Sequence, residues 1–243
     1  MESRSALLTF YRRVSIFSMP PAQQMKTALT TECIKFGWET FKKRPWFLIG
    51  VTVLYIIISF SSGTISDLAG DLMATSDNFA NNAVSFLISM LLNTLLGLMT
   101  VVFLLKAHDG IDHVTLSDAW NPTKYWRYLI VSILMGLAFA GGLILLIIPG
   151  IIFGLMFWFG GYLVVDRSLS PMEAMKESAH MTSGHKWELF LLAVASLGLM
   201  LIGIICLLIG FLVAIPVVTL AFTHAYRQLE IKAAPMLAPT PAA

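Results

Sequence analysis

Two uncharged tracts limit what this chain can fold into. Thirty-eight residues separate Arg127 from Asp166 with no Asp, Glu, Lys or Arg among them, and thirty-eight more separate Glu188 from Arg227. A straight α-helix of that length rises roughly 57 Å, nearly twice the hydrocarbon thickness of a bilayer. Each tract therefore has to fold back on itself. The turning points are legible, because Pro149 and Gly150 in "LLIIPGIIF" follow Arg127 by 22 and 23 positions, and Gly210 follows Glu188 by 22. Proline suits the first turn of a helix and glycine closes one, so both tracts are expected to end one helix and start another there. The return helices, about 16 residues each, are short for a full crossing.

Two further stretches, 46–65 and 84–105, are also free of charge and long enough to cross once. With 57% hydrophobic and only 12% charged residues, against about 25% charged in soluble domains, the chain belongs to the membrane class. A net charge of +2 gives no footing for nucleic acid as a partner. Cys33 and Cys206 are too few for a disulfide framework or a metal site and read as free thiols.

A basic residue and a tryptophan lead into an apolar run three times, in "KRPWFLIG" at 43–50, "TKYWRYLI" at 123–130 and "GHKWELFL" at 184–191. Trp126 to Asp166 and Trp187 to Arg227 are both 40 positions, and Trp46 to Lys106 is 60. The expected architecture is an all-α polytopic membrane protein: six transmembrane helices as three repeated helical hairpins, about 46–105, 126–165 and 187–226, with amphipathic helices on the cytosolic side. The first copy carries an insertion, "SSGTISDLAGDLMATSDNFANNAV", expected to be a loop. One transmembrane domain over 25–232 is expected between a disordered extension, 1–24, and a disordered Pro- and Ala-rich tail, 233–243. Twin arginines in "FYRRVSIFSM" precede an apolar patch that Pro20 and Pro21 cut too short for an export signal.

Six crossings place 1–45, 106–127, 166–188 and 227–243 on one side, with 8, 3, 3 and 2 Lys and Arg, which are all 16 in the chain. The other side has Asp67, Asp71 and Asp77 and no basic residue. The positive-inside rule makes the basic side cytoplasmic, so a bacterial inner membrane with both termini in the cytoplasm is expected. Four crossings, each long tract being one helix, would put Arg167, Lys176 and Lys186 outside.

Between the hairpins lie polar connectors. Residues 25–44 place Met25, Leu29, Cys33, Phe36 and Phe41 on one helical face and most of Lys26, Glu32, Lys35, Glu39 and Lys42 on the other. This suits equally a helix lying on the inner leaflet and a cap packed under the bundle. In "LSPMEAMKESAHMTSGH", 169–185, Ser170, Pro171 and Glu173 form a capping box with proline in the permitted place. Met172, Met175 and Ala179 make an apolar stripe expected to pack on the bundle, and Ser183 with Gly184 ends the helix. A shorter version is expected in "LSDAW", 116–120.

Candidate chemistry is sparse. His108, Asp109, Asp112 and His113 in "HDGIDH" are the one group of nitrogen and oxygen ligands close in sequence, and a solvated turn at Asp109 and Gly110 accounts for them as well. Phosphate loops, nucleophile elbows and paired metal-binding histidines are missing, so neither catalytic residues, a cofactor nor a metal is assigned. At mid-membrane depth the polar inventory is Asn93, Thr94, Thr100, Ser132, Ser196 and Thr219, without an ionisable group, which argues against ion-coupled transport. Ser132, Gly136 and Ala140, and Gly150 with Gly154, are spaced for close helix approach. Pro216 is expected to kink the last helix.

The stretch 144–192, with "IPG", then "LSPMEA", Ser178 and "SGHKW", resembles a bacterial group of integral membrane proteins that includes the membrane domain attached to some glycerophosphoryl diester phosphodiesterases. "FGWETFKKRPWFLIG", 36–50, resembles that group's first unit. The resemblance implies the architecture and no catalytic residue, and with no room here for the soluble phosphodiesterase domain that activity is not expected. The functional expectation is a non-enzymatic structural, assembly or partner-binding role, or alternatively a lipid or small-amphiphile transporter without buried coupling charges. Membrane lipids, and a protein partner or second copy within the membrane, are the expected partners.

Overall fold

The computed structural model describes residues 21–72, 78–115, 122–145, 147–205 and 209–237. Described residues form nine α-helices and no strand: α1 Pro21–Lys43, α2 Pro45–Leu72, α3 Asn78–Gly110, α4 Tyr125–Leu145, α5 Ile147–Phe157, α6 Gly160–Arg167, α7 Pro171–Thr182, α8 Lys186–Ile205 and α9 Ile209–Leu237. Six segments are long and apolar enough to cross a membrane, at 45–66, 82–110, 125–144, 149–167, 186–205 and 210–233. The expected start and tail, residues 1–20 and 238–243, and the short "LSDAW" helix lie outside the described residues. Helix already runs at 21–24 and on to Leu237, past both expected domain limits.

Both long tracts fold back. Arg127 donates from Nη1 to the Ser168 carbonyl at 2.7 Å, and Lys124 Nζ donates to Val165 O, so the two ends of the first tract lie side by side. This removes the four-crossing alternative. The turn comes slightly earlier than expected: α5 opens at Ile147 and takes Pro149 into its first turn, where a missing amide leaves no helical bond unmade. At these turns backbone meets backbone. A methyl on Gly142 would stand 2.8 Å from Gly150 Cα, and one on Gly203 2.8 Å from the Gly210 carbonyl oxygen.

The Ser-, Asn- and Asp-rich insertion is not the long loop expected. Helix α2 continues to Leu72 and α3 resumes at Asn78, leaving only 73–77 outside the described residues. Serine and threonine hydroxyls serve the helix here: Ser62 bonds the Ser59 carbonyl at 2.8 Å and Ser66 the Ser62 carbonyl at 2.7 Å, so a polar stretch coils without solvent taking its side chains.

The return limb of the first tract is broken once more, at Trp158 and Phe159 between α5 and α6. Helix α7 fits against this break. Its start has the expected capping box, with Ser170 Oγ accepting from Glu173 N and Glu173 Oε2 accepting from Ser170 N at 3.0 Å. The Ser170 hydroxyl, which also donates to Glu173 Oε2 at 2.7 Å, and then the Ser170 amide hold the Glu173 carboxyl below its ordinary range. The buried face of α7, however, is centred on Ala174, Ser178, Met181 and Thr182; of the expected stripe Met175 packs against the core at its edge, while Met172 is 57% exposed. Hydroxyls decide the rotation, because Ser178 Oγ and Thr182 Oγ1 both donate to the Met156 carbonyl, at 2.8 and 3.3 Å, just before the break.

Helix α9 is the centre, with more than half of its crossing segment buried and with α1, α2, α3, α7 and α8 all against it. Helix α1 packs along α9 through Leu29, Cys33, Gly37, Thr40 and Phe41, which makes it a cap on the bundle and not a free interfacial helix. At Gly37 the approach is so close that a methyl would overlap the Val217 carbonyl oxygen. The small-residue rows divide: Gly150 and Gly154 do meet Leu143 and Phe139, while a methyl on Gly136 meets no atom within 4 Å.

Gly37→Ala is therefore expected to destabilise the protein by about 1–3 kcal/mol, the usual cost of overpacking, and Gly136→Ala to leave it unchanged. Thermal unfolding in detergent, followed by the fraction surviving size exclusion, separates the two.

Candidate functional site

Three tryptophans mark the ends of the apolar segments. Trp46 is 85% exposed, Trp126 69% and Trp187 56%, as rings at a membrane interface would be. At the same end of the bundle a charged cluster joins helices that are distant in sequence. Arg227 on α9 donates from Nη1 to Asp166 at 2.7 Å and Glu230 at 3.0 Å, and from Nη2 to Asp109 at the end of α3 at 3.0 Å. Arg167 Nε bonds Glu230 at 2.9 Å, with Nη1 3.9 Å from Glu177 on α7. The fully buried Tyr226 gives its hydroxyl to Asp166 at 3.0 Å. Asp109, Asp166 and Glu230 are each hydrogen-bonded to a guanidinium, so the cluster binds helix to helix, while Glu177 Oε1 and Arg227 Nε are buried without a hydrogen bond.

The histidine group is taken apart and rebuilt. His108 Nε2 lies 3.0 Å from His224 Nδ1 and its Nδ1 lies 3.2 Å from Asp109, while Phe36 of α1 stacks on the His224 ring with centroids 4.2 Å apart. Asp112 and His113 do not join them. Instead the turn they occupy is tied to the start of α2, where Arg44 Nη1 donates to the carbonyls of Ile111, Asp112 and Val114 at 3.0, 3.3 and 3.3 Å. Among the described residues no three His, Cys, Asp or Glu side chains converge on a metal position.

One hollow lies at membrane depth between α2, α3 and α9. It measures about 260 Å³ and is walled by residues that include Leu48, Tyr55, Met99, Phe103, Pro216 and Leu220. Leu54, Tyr55 and Ile58 on its rim are exposed, so it is a groove open to the surroundings. Its three threonines are spoken for: Thr52 donates to Leu48 O at 2.8 Å, Thr100 to Leu96 O at 2.8 Å and Thr219 to Ile215 O at 3.0 Å. The wall presents hydrocarbon apart from the Tyr55 phenol on the rim, and carries no charge. Helix α9 continues through Pro216, which stands in this wall. A second apolar hollow lies between α4 and α5, around Phe139, Phe153 and Trp158.

Sequence reasoning missed the charged cluster, although its signal was present: Asp166 and Arg227 are the residues that bound the two uncharged tracts. It missed Thr182 as the companion of Ser178.

Fold and groove define a class, the all-helical chain with six helices able to cross a membrane. Within it, residues 138–233 match a family described as a protein of unknown function (DUF975). An uncharacterised protein of Mycobacterium bovis is 34% identical over 118 residues, 48% of this chain and 36% of the relative. Two uncharacterised Mycobacterium tuberculosis proteins match over the same length at 34% and 33% identity, with the same coverage. The chain thus spans about a third of the length of these curated relatives. No solved structure matches it. The family match takes in Asp166, Arg167, Glu177, Arg227 and Glu230, whereas the α2 and α3 walls of the groove lie outside it.

Two expectations follow. Arg227→Met, which leaves Asp166 without its closest guanidinium, should lower stability by about 2–4 kcal/mol, as loss of one partner of a partly buried pair does, read from thermal unfolding in detergent. Burial, with Glu32 beside it, pushes the Cys33 thiol up to about 12, so in a Cys206→Ser background a maleimide at pH 8 should label Cys33 only after unfolding.

Proposed function

We propose that this chain is a non-enzymatic, multi-pass inner-membrane protein that holds the acyl part of a lipid or single-chain amphiphile in the α2/α3/α9 groove. The observation that carries it is the groove's lining: apolar but for the Tyr55 phenol at its rim, with every threonine hydroxyl turned to its own helix, at a depth where the surrounding solvent is lipid hydrocarbon. A volume of about 260 Å³ lies just under the roughly 300–1,000 Å³ of sites that engulf a whole small ligand, which suits a segment of one chain. Buried coupling charges are not needed for such an occupant, in keeping with their absence from the crossing segments at mid-depth. The three-hairpin organisation, with its basic end in the cytoplasm, belongs to the same reading and is supported by the pairing of α2 with α3, α4 with α5 and α8 with α9. So does the likeness of 144–192 to the membrane domain of glycerophosphoryl diester phosphodiesterases, which contributes architecture and no activity.

A structural or partner-binding role has one specific feature in its favour, the row Ser132, Gly136 and Ala140 on α4, whose Gly136 no helix among the described residues covers. A row of small residues without an occupant is weaker support than a groove.

The test is labelling by a phospholipid with a photoactivatable acyl chain, in nanodiscs, with adducts mapped by mass spectrometry. Labelling should concentrate in 48–58, 96–104 and 215–220 and fall several-fold in Thr219→Trp, which fills the groove, while the outward face of α8 at Leu197 and Ile202 labels as before. Equal labelling of the groove and the α8 face would overturn the reading.

A further inference from the structure

The groove has a chemically distinct end. One turn along α2 from its wall residue Leu48 stands Arg44, bonded through Leu48 N to Arg44 O at 3.1 Å, and three residues along α3 from the wall residue Phe103 stands Lys106. Lys42 and Lys43 precede Arg44, and Lys43 and Lys106 are exposed. The path from charge to groove is continuous: the Arg44 guanidinium lies 4.2 Å from the Phe47 ring centroid, and Phe47 lies 6.1 Å from Phe103. Arg44 is also fixed in advance. All three of its bonds to the 111–114 turn leave from Nη1, and they go to neutral carbonyls, so among these contacts its charge stays uncancelled and its Nε–Nη2 edge is left to receive a second acceptor. That edge is the one guanidinium uses for bidentate phosphate contacts. Trp46, the most exposed of the three interface tryptophans, stands two residues away and marks the depth at which lipid headgroups lie.

From this juxtaposition we infer that the groove selects an anionic glycerophospholipid, with one acyl chain between α2, α3 and α9 and its phosphate against Arg44, Lys43 and Lys106. The inference rests on the groove being a lipid site and adds the headgroup. Glu39 is drawn toward Lys35, 3.8 Å away, and the contact of Asp112 with Arg44 is made by its backbone carbonyl. Phosphate alone is common to all phospholipids; the lysines flanking Arg44 make the difference between an anionic and a zwitterionic head, because each basic residue near the surface favours anionic lipid by roughly fivefold.

Two probes with the same photoactivatable chain, one on phosphatidylglycerol and one on phosphatidylcholine, test this with the full chain in nanodiscs. Phosphatidylglycerol is expected to label 48–58 and 215–220 at least fivefold more strongly at low salt. The Lys43→Gln/Lys106→Gln double variant, which leaves the Arg44 bonds to the 111–114 turn in place, should bring that ratio close to one with phosphatidylcholine labelling unchanged. Arg44→Lys, which keeps the charge and removes the fork, should lower labelling by both probes. Equal labelling by the two probes in the parent protein overturns the headgroup inference and leaves the groove standing. A ratio that survives the double variant overturns it too, and an unlabelled groove with either probe overturns both readings.

Discussion

A backbone carbonyl set free inside hydrocarbon has no water to turn to, and leaving it unpaired costs several kcal/mol. Most of this fold follows from that condition. It makes every crossing segment helical, and it decides what happens where a helix has to break. At Trp158 and Phe159 the ladder is interrupted, and the Met156 carbonyl is taken up by Ser178 and Thr182 from α7. An extramembrane helix is thereby drawn against a membrane one by two hydroxyls, and its Met172 is left facing outward. Elsewhere the same chemistry runs within one helix, as threonines 52, 100 and 219 return their hydroxyls to their own backbone and so turn a groove that looks polar in sequence into one lined by carbon.

Helix α9 connects the separate parts. Its glycine-fitted contact with α1, its arginine among the carboxylates of α3, α6 and its own next turn, and its proline in the groove wall lie along one rod. The charged cluster at the basic end holds α3, α6 and α7 to that rod. The cluster is taken up with ion pairs among its own members, although Glu177 Oε1 and Arg227 Nε are buried without a hydrogen bond, whereas the groove is left open by the described side chains around it and fits hydrocarbon.

How much of this was legible depended on whether a residue breaks a pattern or only continues it. Charges and prolines interrupt an apolar tract, so the fold-back points and the six helices long and apolar enough to cross were readable, and so was the capping box of Ser170 and Glu173. Which faces of uniformly apolar helices meet was not, because in lipid both the buried and the exposed face are greasy and amphipathicity no longer separates them. Leu48, Met99 and Leu220 look like any other lipid-facing residues until α2, α3 and α9 are placed together. Gly37 stood in the four-residue row of Leu29, Cys33 and Phe41, but a residue without a side chain leaves no mark on an apolar pattern. The long polar insertion misled for the opposite reason: its serines signal a loop in water and a helix end where their hydroxyls have only backbone to bond.

The contact between Gly37 and Val217 joins positions 180 residues apart. Ribosomes deliver the N-terminal partner first, so α1 has to wait through the insertion of five apolar segments before the surface that receives it exists. Until then Leu29, Cys33 and Phe41 lack the largest part of their cover, with mainly α2 and α8 against α1, and the bundle closes on its last helix. A nascent chain stopped anywhere before α9 would therefore lack the main cover for the same face of α1, wherever the stop falls.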